Sequence, residues 1–353
     1  MLLEPRRRTL HAGMDERALA DLSARYTRFA EIEAHVRSPS CEMLARGVSE
    51  DREVLDFLMT LPDEKRQPNL LLAAMRHLFG ASRNWSDFRR SLLVNSNPVR
   101  SVMLAYSTQT NEPARCATLL PVFARLPQPL ALIEVGASAG LCLLPDFYGY
   151  KYARTLIRPA IIETEPPVFT CRVSETTPVP TAMPKIVWRA GLDLNPLDAA
   201  DPAQAAWLEA LVWPEQTDRL AHLRAALQIA VACRPRVVKG DLLGDDLVRL
   251  CREAPKGATL VVFHTAVLAY VTRQADRQAF AHKVKQLCQY WVSNEAPGVY
   301  PAAARRAGTK GAPGRFLMSV NGDPVAWTDP HGAALEWIVG KDRGAASEEP
   351  VVE

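Results

Sequence analysis

The chain has 353 residues, 48% of them hydrophobic and 23% charged, with a formal net charge of +3. That composition supports a globular protein of one large domain or two modest ones, and its near-balanced charge argues against a nucleic-acid or membrane partner. The seven cysteines are scattered and form no C-x-x-C pair, which points to reduced thiols in a cytoplasmic protein, with neither a disulfide framework nor a metal cage.

No apolar run approaches the roughly 20 residues that span a bilayer. The opening MLLEPRRRTLHAGM lacks the apolar core of a signal peptide. Residues 1–14 are expected to be a disordered extension. From there to residue 127 the signals are helical: ERALADLSARYTRFAEIEA, DREVLDFLMTL, PNLLLAAMRHLFG and ARCATLLPVFARL carry apolar residues at intervals of three and four. Breakers such as Leu61-Pro62-Asp63, Gly80 and Asn97-Pro98 separate them, and no alternating strand precedes Leu130.

Residues 128–340 read differently. PLALIEVG is a short continuous apolar run ending in glycine, as a buried parallel strand reads. KIVWRAGLDL, PRVVKGDL, ATLVVFHT and QYWVSNE repeat that form, with helical segments between them, so the expected fold class is α/β with a mostly parallel sheet covered on both faces. GRFLMSVNGDPVAWTD, with Asn321-Gly322 at its centre, reads as a closing antiparallel hairpin. VFTCRV is one further short strand in a proline-rich stretch. Residues 296–314 read as a mobile surface loop, either a linker or a lid, and residues 341–353 as a disordered tail.

The end of the first strand, EVGASAG, admits two chemistries. Gly136, Ser138 and Gly140 fit G-x-S-x-G, the elbow that exposes a serine nucleophile, with Asp241 and His264 or His331 as nominal triad partners. The same residues fit an acidic, glycine-rich cradle: Gly136 and Gly140 allow close backbone approach, Ser138 donates to a ligand carboxylate and Glu134 accepts from an ammonium. Only helices precede this strand, and no HGGG-type oxyanion loop is present, so the cradle is favoured. In open α/β sheets, ligands bind beyond the carboxyl ends of strands. Asp193, in GLDLNPLD, then stands where a carboxylate meets ribose hydroxyls, with Glu163 as its competitor. Asp241 stands on the adenine side or builds a helix cap, and His264 faces the substrate as a proton-transfer group. On the polar turn before the strand, Gln109, Asn111 and Glu112 line the substrate side or cap the following helix. Trp207, Trp213 and Trp291 read as packing residues.

In this order of motifs the chain resembles the class I S-adenosylmethionine-dependent methyltransferase fold. LALIEVGASAG stands for strand one, GLDL for strand two, VVKGDL for strand three and VVFHT for strand four, with QYWVSNE and the final hairpin completing a Rossmann-like sheet. The resemblance covers the last two-thirds of the chain and implies a seven-stranded sheet and S-adenosylmethionine as cofactor; with no basic groove or nucleic-acid module evident, the expected methyl acceptor is a small molecule. Departures are an insertion between strands one and two, one fewer glycine in the turn, and His264-Thr-Ala where many amino-methylating enzymes carry Asn/Asp-Pro-Pro-Tyr.

The chain also resembles, over nearly its full length, an uncharacterised bacterial family through TQTNE (Thr108–Glu112), EVGASAGL (Glu134–Leu141), Arg189–Asp198, WLEALVWPEQ (Trp207–Gln216), Gly240–Leu242, Val261–Tyr270 and Pro330–Gly332. Tyr270, closing the sixth of these, is a further substrate-side residue, and Cys142 stands where asparagine is expected. The expected function is an S-adenosylmethionine-dependent methyltransferase or methyltransferase-like protein. The alternatives are a non-catalytic S-adenosyl-ligand-binding protein and a serine hydrolase using Ser138.

Overall fold

The structure is a computed structural model that describes residues 5–109, 111–159, 165–308 and 310–338, with side chains from residue 16 onward. The chain forms two compact units: Met1–Thr110 with Asp198–Leu227, and Asn111–Leu197 with Gln228–Glu353.

The first unit is helical. Its helices are α1 (Pro5–Arg28), α2 (Pro39–Glu50), α3 (Arg52–Met59), α4 (Pro68–Phe79), α5 (Trp85–Val94), α6 (Ser96–Ala105) and α8 (Pro202–Ala210). The sequence starts these helices with side-chain caps: Ser38, Asp51, Asn84 and Asp201 each accept a hydrogen bond from an amide two or three residues on. Helix α1 begins at Pro5, inside the stretch expected to be a disordered extension.

Residues 198–227 join this unit because WLEALVWPEQ is built to dock on helices. Trp207 is fully buried, stacks on Tyr106 at 4.5 Å between ring centroids and donates to the Ser107 carbonyl. Trp213 donates to Asn69 Oδ1, and Glu215 accepts from Ser38 Oγ and the Ser40 amide. The buried face centres on Tyr26, Leu58, Leu71, Met75, Leu92 and Trp207.

The second unit is an eleven-stranded mixed sheet with strand order β3-β2-β4-β11-β10-β9-β8-β7-β1-β5-β6. In chain order the strands are β1 (Leu130–Val135), β2 (Gly149–Tyr152), β3 (Thr155–Ile157), β4 (Val168–Val173), β5 (Ile186–Asp193), β6 (Val237–Lys239), β7 (Thr259–Thr265), β8 (Tyr290–Glu295), β9 (Phe316–Val320), β10 (Asp323–Thr328) and β11 (Ala334–Trp337). The helices are α7 (Cys116–Phe123), α10 (Asp246–Glu253), α11 (Gln274–Leu287) and α12 (Pro301–Arg306). Helix α9 (Thr217–Cys233) carries the chain from the first unit into the second.

β1 pairs in parallel with β5 on one side and β7 on the other; β6 extends the first side and β8 the second. Strand order therefore reverses at β1, whose six residues are all buried. That is the place where a doubly wound sheet opens a crevice for ligands. β9 and β10 form an antiparallel hairpin within the sheet through Asn321 and Gly322, both left-handed, as Asn-Gly favours.

Further features differ from the sequence reading. Among the described residues the sheet has eleven strands rather than seven. The insertion between β1 and β5 supplies β2, β3 and β4, which extend the far edge through the parallel pair β4–β11. Residues 296–314, expected to be a mobile loop, contain α12, and its Ala303 packs with Ala307, Leu317 and Trp327.

Candidate functional site

The turn after β1 is built from alternating left-handed residues: Gly136 (φ +74°), Ser138 (φ +50°) and Gly140 (φ +74°). No α-helix follows it. The chain continues in two single 3-10 turns, Leu141–Leu143 and Pro145–Phe147, and enters β2. The serine-elbow reading places a helix there, since that elbow is a strand–turn–helix. Side chains do the positioning instead: Tyr148 donates to the Leu141 carbonyl at 2.8 Å, and Arg189 grips Asp146 in a two-pronged pair at 2.7 and 2.8 Å.

Residues spaced by two along β5 share one face of the strand. Arg189, Gly191 and Asp193 all serve the segment that follows β1. Arg189 holds Asp146. Gly191 leaves room for Ala137, whose Cβ would lie 2.6 Å from a side chain at that position. Asp193 Oδ2 accepts the Ser138 amide and Oδ1 the Asn195 amide, both at 2.8 Å. The Leu197 amide donates to the Ser138 carbonyl, so the NPLD loop also closes on this turn. The sequence pattern R-x-G-x-D is thus one strand face dedicated to fixing the glycine turn.

Gly136 is required by a neighbour. A Cβ there would stand 2.3 Å from Val267 Cγ2, which returns over the turn because Ala266 is left-handed (φ +58°). The close approach that the sequence suggests for a ligand is made by the protein's own valine.

Opposite the turn lies the segment 111–115. The Asn111 side-chain amide reaches the Ala137 carbonyl at 3.4 Å. Glu112, only 4% exposed, accepts from the Ala114 amide, and its Oε2 is 3.8 Å from His331 Nδ1. Arg115, also buried, donates to the Pro330 carbonyl at 2.8 Å and to Thr265 O and Oγ1 at 3.2 Å. The Asp-Pro-His-Gly loop is seated here by Gly332, whose missing Cβ would lie 2.0 Å from the Ala114 carbonyl oxygen. His331 itself is half exposed.

Two polar atoms in the turn stand out. Glu134 and Ser138 are each 4% exposed, and Glu134 Oε2 and Ser138 Oγ have no hydrogen-bond partner. Buried polar groups are nearly always paired. Burial pushes the Glu134 carboxyl well above the usual carboxylate range, the Cys142 thiol adds to the shift, and the Arg115 guanidinium opposes it. The Cys142 thiol is itself held well above its usual range by its contact with Cys116 and by burial. Its Sγ is 3.3 Å from the Glu112 carbonyl. Burial therefore favours the protonated form of the Glu134 carboxyl, against the pull of the buried Arg115 cation.

Several expected site residues lie elsewhere or play other parts. His264 is fully buried, and both ring nitrogens are taken. Trp291 Nε1 is a donor only, so it donates to Nε2 at 3.0 Å, which leaves the proton on Nδ1 for Glu295 Oε1 at 2.7 Å. Glu295 Oε1 also accepts the Val267 and Leu268 amides. His264 thus belongs to the brace that ends β7, which corrects its expected role as an acceptor-facing base.

Tyr270, 67% exposed, sits on a 3-10 turn beyond that brace. Asp241 is exposed; it accepts the Leu243 amide and its own amide donates to Asp246, so it builds the turn before α10. Gln109 belongs to the helical unit. Glu163 lies outside the described residues.

The site thus gathers Asn111, Glu112, Arg115, Glu134, Ser138, Cys142 and Asp193, with His331 beside Glu112. Arg115 went unnoticed in the sequence, where a single arginine at a helix start carries no signal. His331 had one, the Asp-Pro-His-Gly pattern. A family model described as "Uncharacterized protein conserved in bacteria (DUF2332)" matches residues 23–337. The chain belongs to this family. The matched span includes every site residue named above. No curated protein and no solved structure matches the chain. Among the described residues no helix is long and apolar enough to cross a membrane, and no group of three His, Cys, Asp or Glu side chains is placed to hold a metal ion.

Proposed function

We propose that the sheet unit binds S-adenosylmethionine at the carboxyl end of β1 and that the protein is a methyltransferase-like enzyme acting on a small molecule. The observation that carries this reading is the pair of buried, unpartnered polar atoms, Glu134 Oε2 and Ser138 Oγ, on the turn where strand order reverses. They suit the amino-acid end of the cofactor, Glu134 receiving the ammonium and Ser138 donating to the carboxylate. Asp193 is bound to two amides of the turn and stands as the acid for a ribose hydroxyl. Gly136 and Gly191 serve packing, so recognition rests on these three side chains.

Bound S-adenosylmethionine supplies an electrophilic methyl group, and the transfer asks the protein mainly for in-line positioning. On the acceptor side, Asn111 offers its side-chain amide. His331, half exposed beside buried Glu112, replaces His264 as the proton-transfer group on the acceptor side. The hydrolase reading loses support, because Ser138 Oγ has no histidine partner and no helix follows its turn.

Calorimetric titration with S-adenosylmethionine and S-adenosylhomocysteine, in buffers of different ionisation enthalpy, tests the binding. At mildly acidic pH both ligands should bind with release of a proton as Glu134 ionises against the ammonium. Binding without proton release would remove Glu134 from the site, and absence of binding would remove the cofactor. Methyl transfer from labelled S-adenosylmethionine into a metabolite mixture then separates an enzyme from a protein that only binds the ligand.

A further inference from the structure

The helical unit holds a second feature that the sheet unit does not explain. A recess between α2, α4, α5 and the segment after α8 is walled by Leu44, Leu72, Phe88, Val212 and Trp213, with Arg76 of α4 entering it. It holds about 440 Å³ counting its open mouth. Arg76 Nη1 is shielded from solvent and has no hydrogen-bond partner. Glu215 and Glu209 attract Arg76 through space but hydrogen-bond elsewhere: Glu215 accepts from Ser38 Oγ at 2.5 Å and the Ser40 amide at 2.9 Å, and Glu209 is paired with Arg224 at 2.7 Å. Cys41, also lining the recess, does not neutralise Arg76 either, since burial pushes its thiol up to about 11.

Arg76 is half-buried, and one guanidinium nitrogen held out of water without a hydrogen-bond partner is costly. Arg76 presents a fork that matches a carboxylate, among the apolar side chains that line the recess. Small-molecule sites are typically apolar recesses with a few polar groups that fix orientation.

We propose that this recess is a binding site for a short-chain carboxylate, whose carboxylate pairs with Arg76 while its apolar tail lies against Leu72, Phe88 and Trp213. The inner part has room for about two waters, so the ligand is small. This assignment is independent of any S-adenosyl ligand.

Thermal-shift titrations of the full chain with butyrate, butyramide and inorganic phosphate test it. Butyrate should raise the melting temperature in a saturable manner, and butyramide, of nearly the same shape but uncharged, should bind at least about tenfold more weakly, as loss of a charge-assisted hydrogen bond implies. Arg76→Gln should abolish the butyrate response while leaving the melting temperature without ligand unchanged or higher. The acid–amide comparison uses the unaltered protein, so the test stands even where Arg76→Gln folds poorly. Equal responses to acid and amide, no response to butyrate, or a response to phosphate alone would each overturn the assignment.

Discussion

Arg115→Met is expected to lower the stability of the sheet unit by about 3 kcal/mol, read as a lower urea midpoint with an unchanged slope. Methionine keeps the length of the side chain but donates nothing. The Pro330 carbonyl, Thr265 O and Thr265 Oγ1 would lose the guanidinium that now binds them inside the protein. A buried acceptor left unmet costs about 1–3 kcal/mol. The same change removes the cation that opposes the upward shift of the Glu134 carboxyl, so that carboxyl should titrate at still higher pH. A variant as stable as the parent would mean that the Asp-Pro-His-Gly loop is held without Arg115.

Gly332→Ala should be about as damaging. At φ +86° any L-residue is strained by about 1–2 kcal/mol, and here the new Cβ would stand 2.0 Å from backbone, the Ala114 carbonyl oxygen, which no rotamer change relieves. A loss of about 3 kcal/mol is expected, together with displacement of His331 from Glu112. Gly308→Ala is the control, with a comparable φ of +68° and nothing within 4 Å of the added atom. It should cost about 1–2 kcal/mol. Equal losses at the two positions would show that only backbone strain operates at Gly332.

These two residues also show where sequence reading stops. The main strands were legible because each is a short apolar run between glycines, prolines or charges; β1, β5, β7 and β8 fall inside PLALIEVG, KIVWRAGLDL, ATLVVFHT and QYWVSNE. β2, β3 and β11 have only three or four residues, too few for a period-two pattern to emerge. Asn321-Gly322 announced its hairpin because both positions need left-handed backbone.

The site was legible in part. The glycines of EVGASAG signal close approach, but nothing local says whether the approaching group is a ligand or Val267. Asp193 was picked as an acid after a strand, and its two amide partners emerge only once the turn folds against β5. His264 misled for the same reason. Its seal is made by Trp291 and Glu295, 27 and 31 residues away in sequence and adjacent only through β7–β8 pairing. A histidine at a strand end looks the same in sequence whether it faces a ligand or a tryptophan.

Glu134 carries the central claim, and its linkage to pH gives the claim a sign. Its carboxyl is raised in the folded chain, so it keeps a proton that the unfolded chain releases above the usual carboxylate range. Unfolding then releases a proton, and stability falls as pH rises from that range toward the folded value. Glu134→Gln removes this dependence and should be more stable at neutral pH by about 1–3 kcal/mol, the scale of one unpartnered buried polar group. Stability set aside in this way at a site is a common mark of a residue kept for binding.

The most direct measurement is the melting temperature of the parent chain and Glu134→Gln at neutral pH, each with and without saturating S-adenosylmethionine. The account predicts that Glu134→Gln melts higher without ligand and that S-adenosylmethionine raises the parent but leaves the variant unmoved. A parent chain indifferent to S-adenosylmethionine, or equal shifts in both proteins, would contradict it.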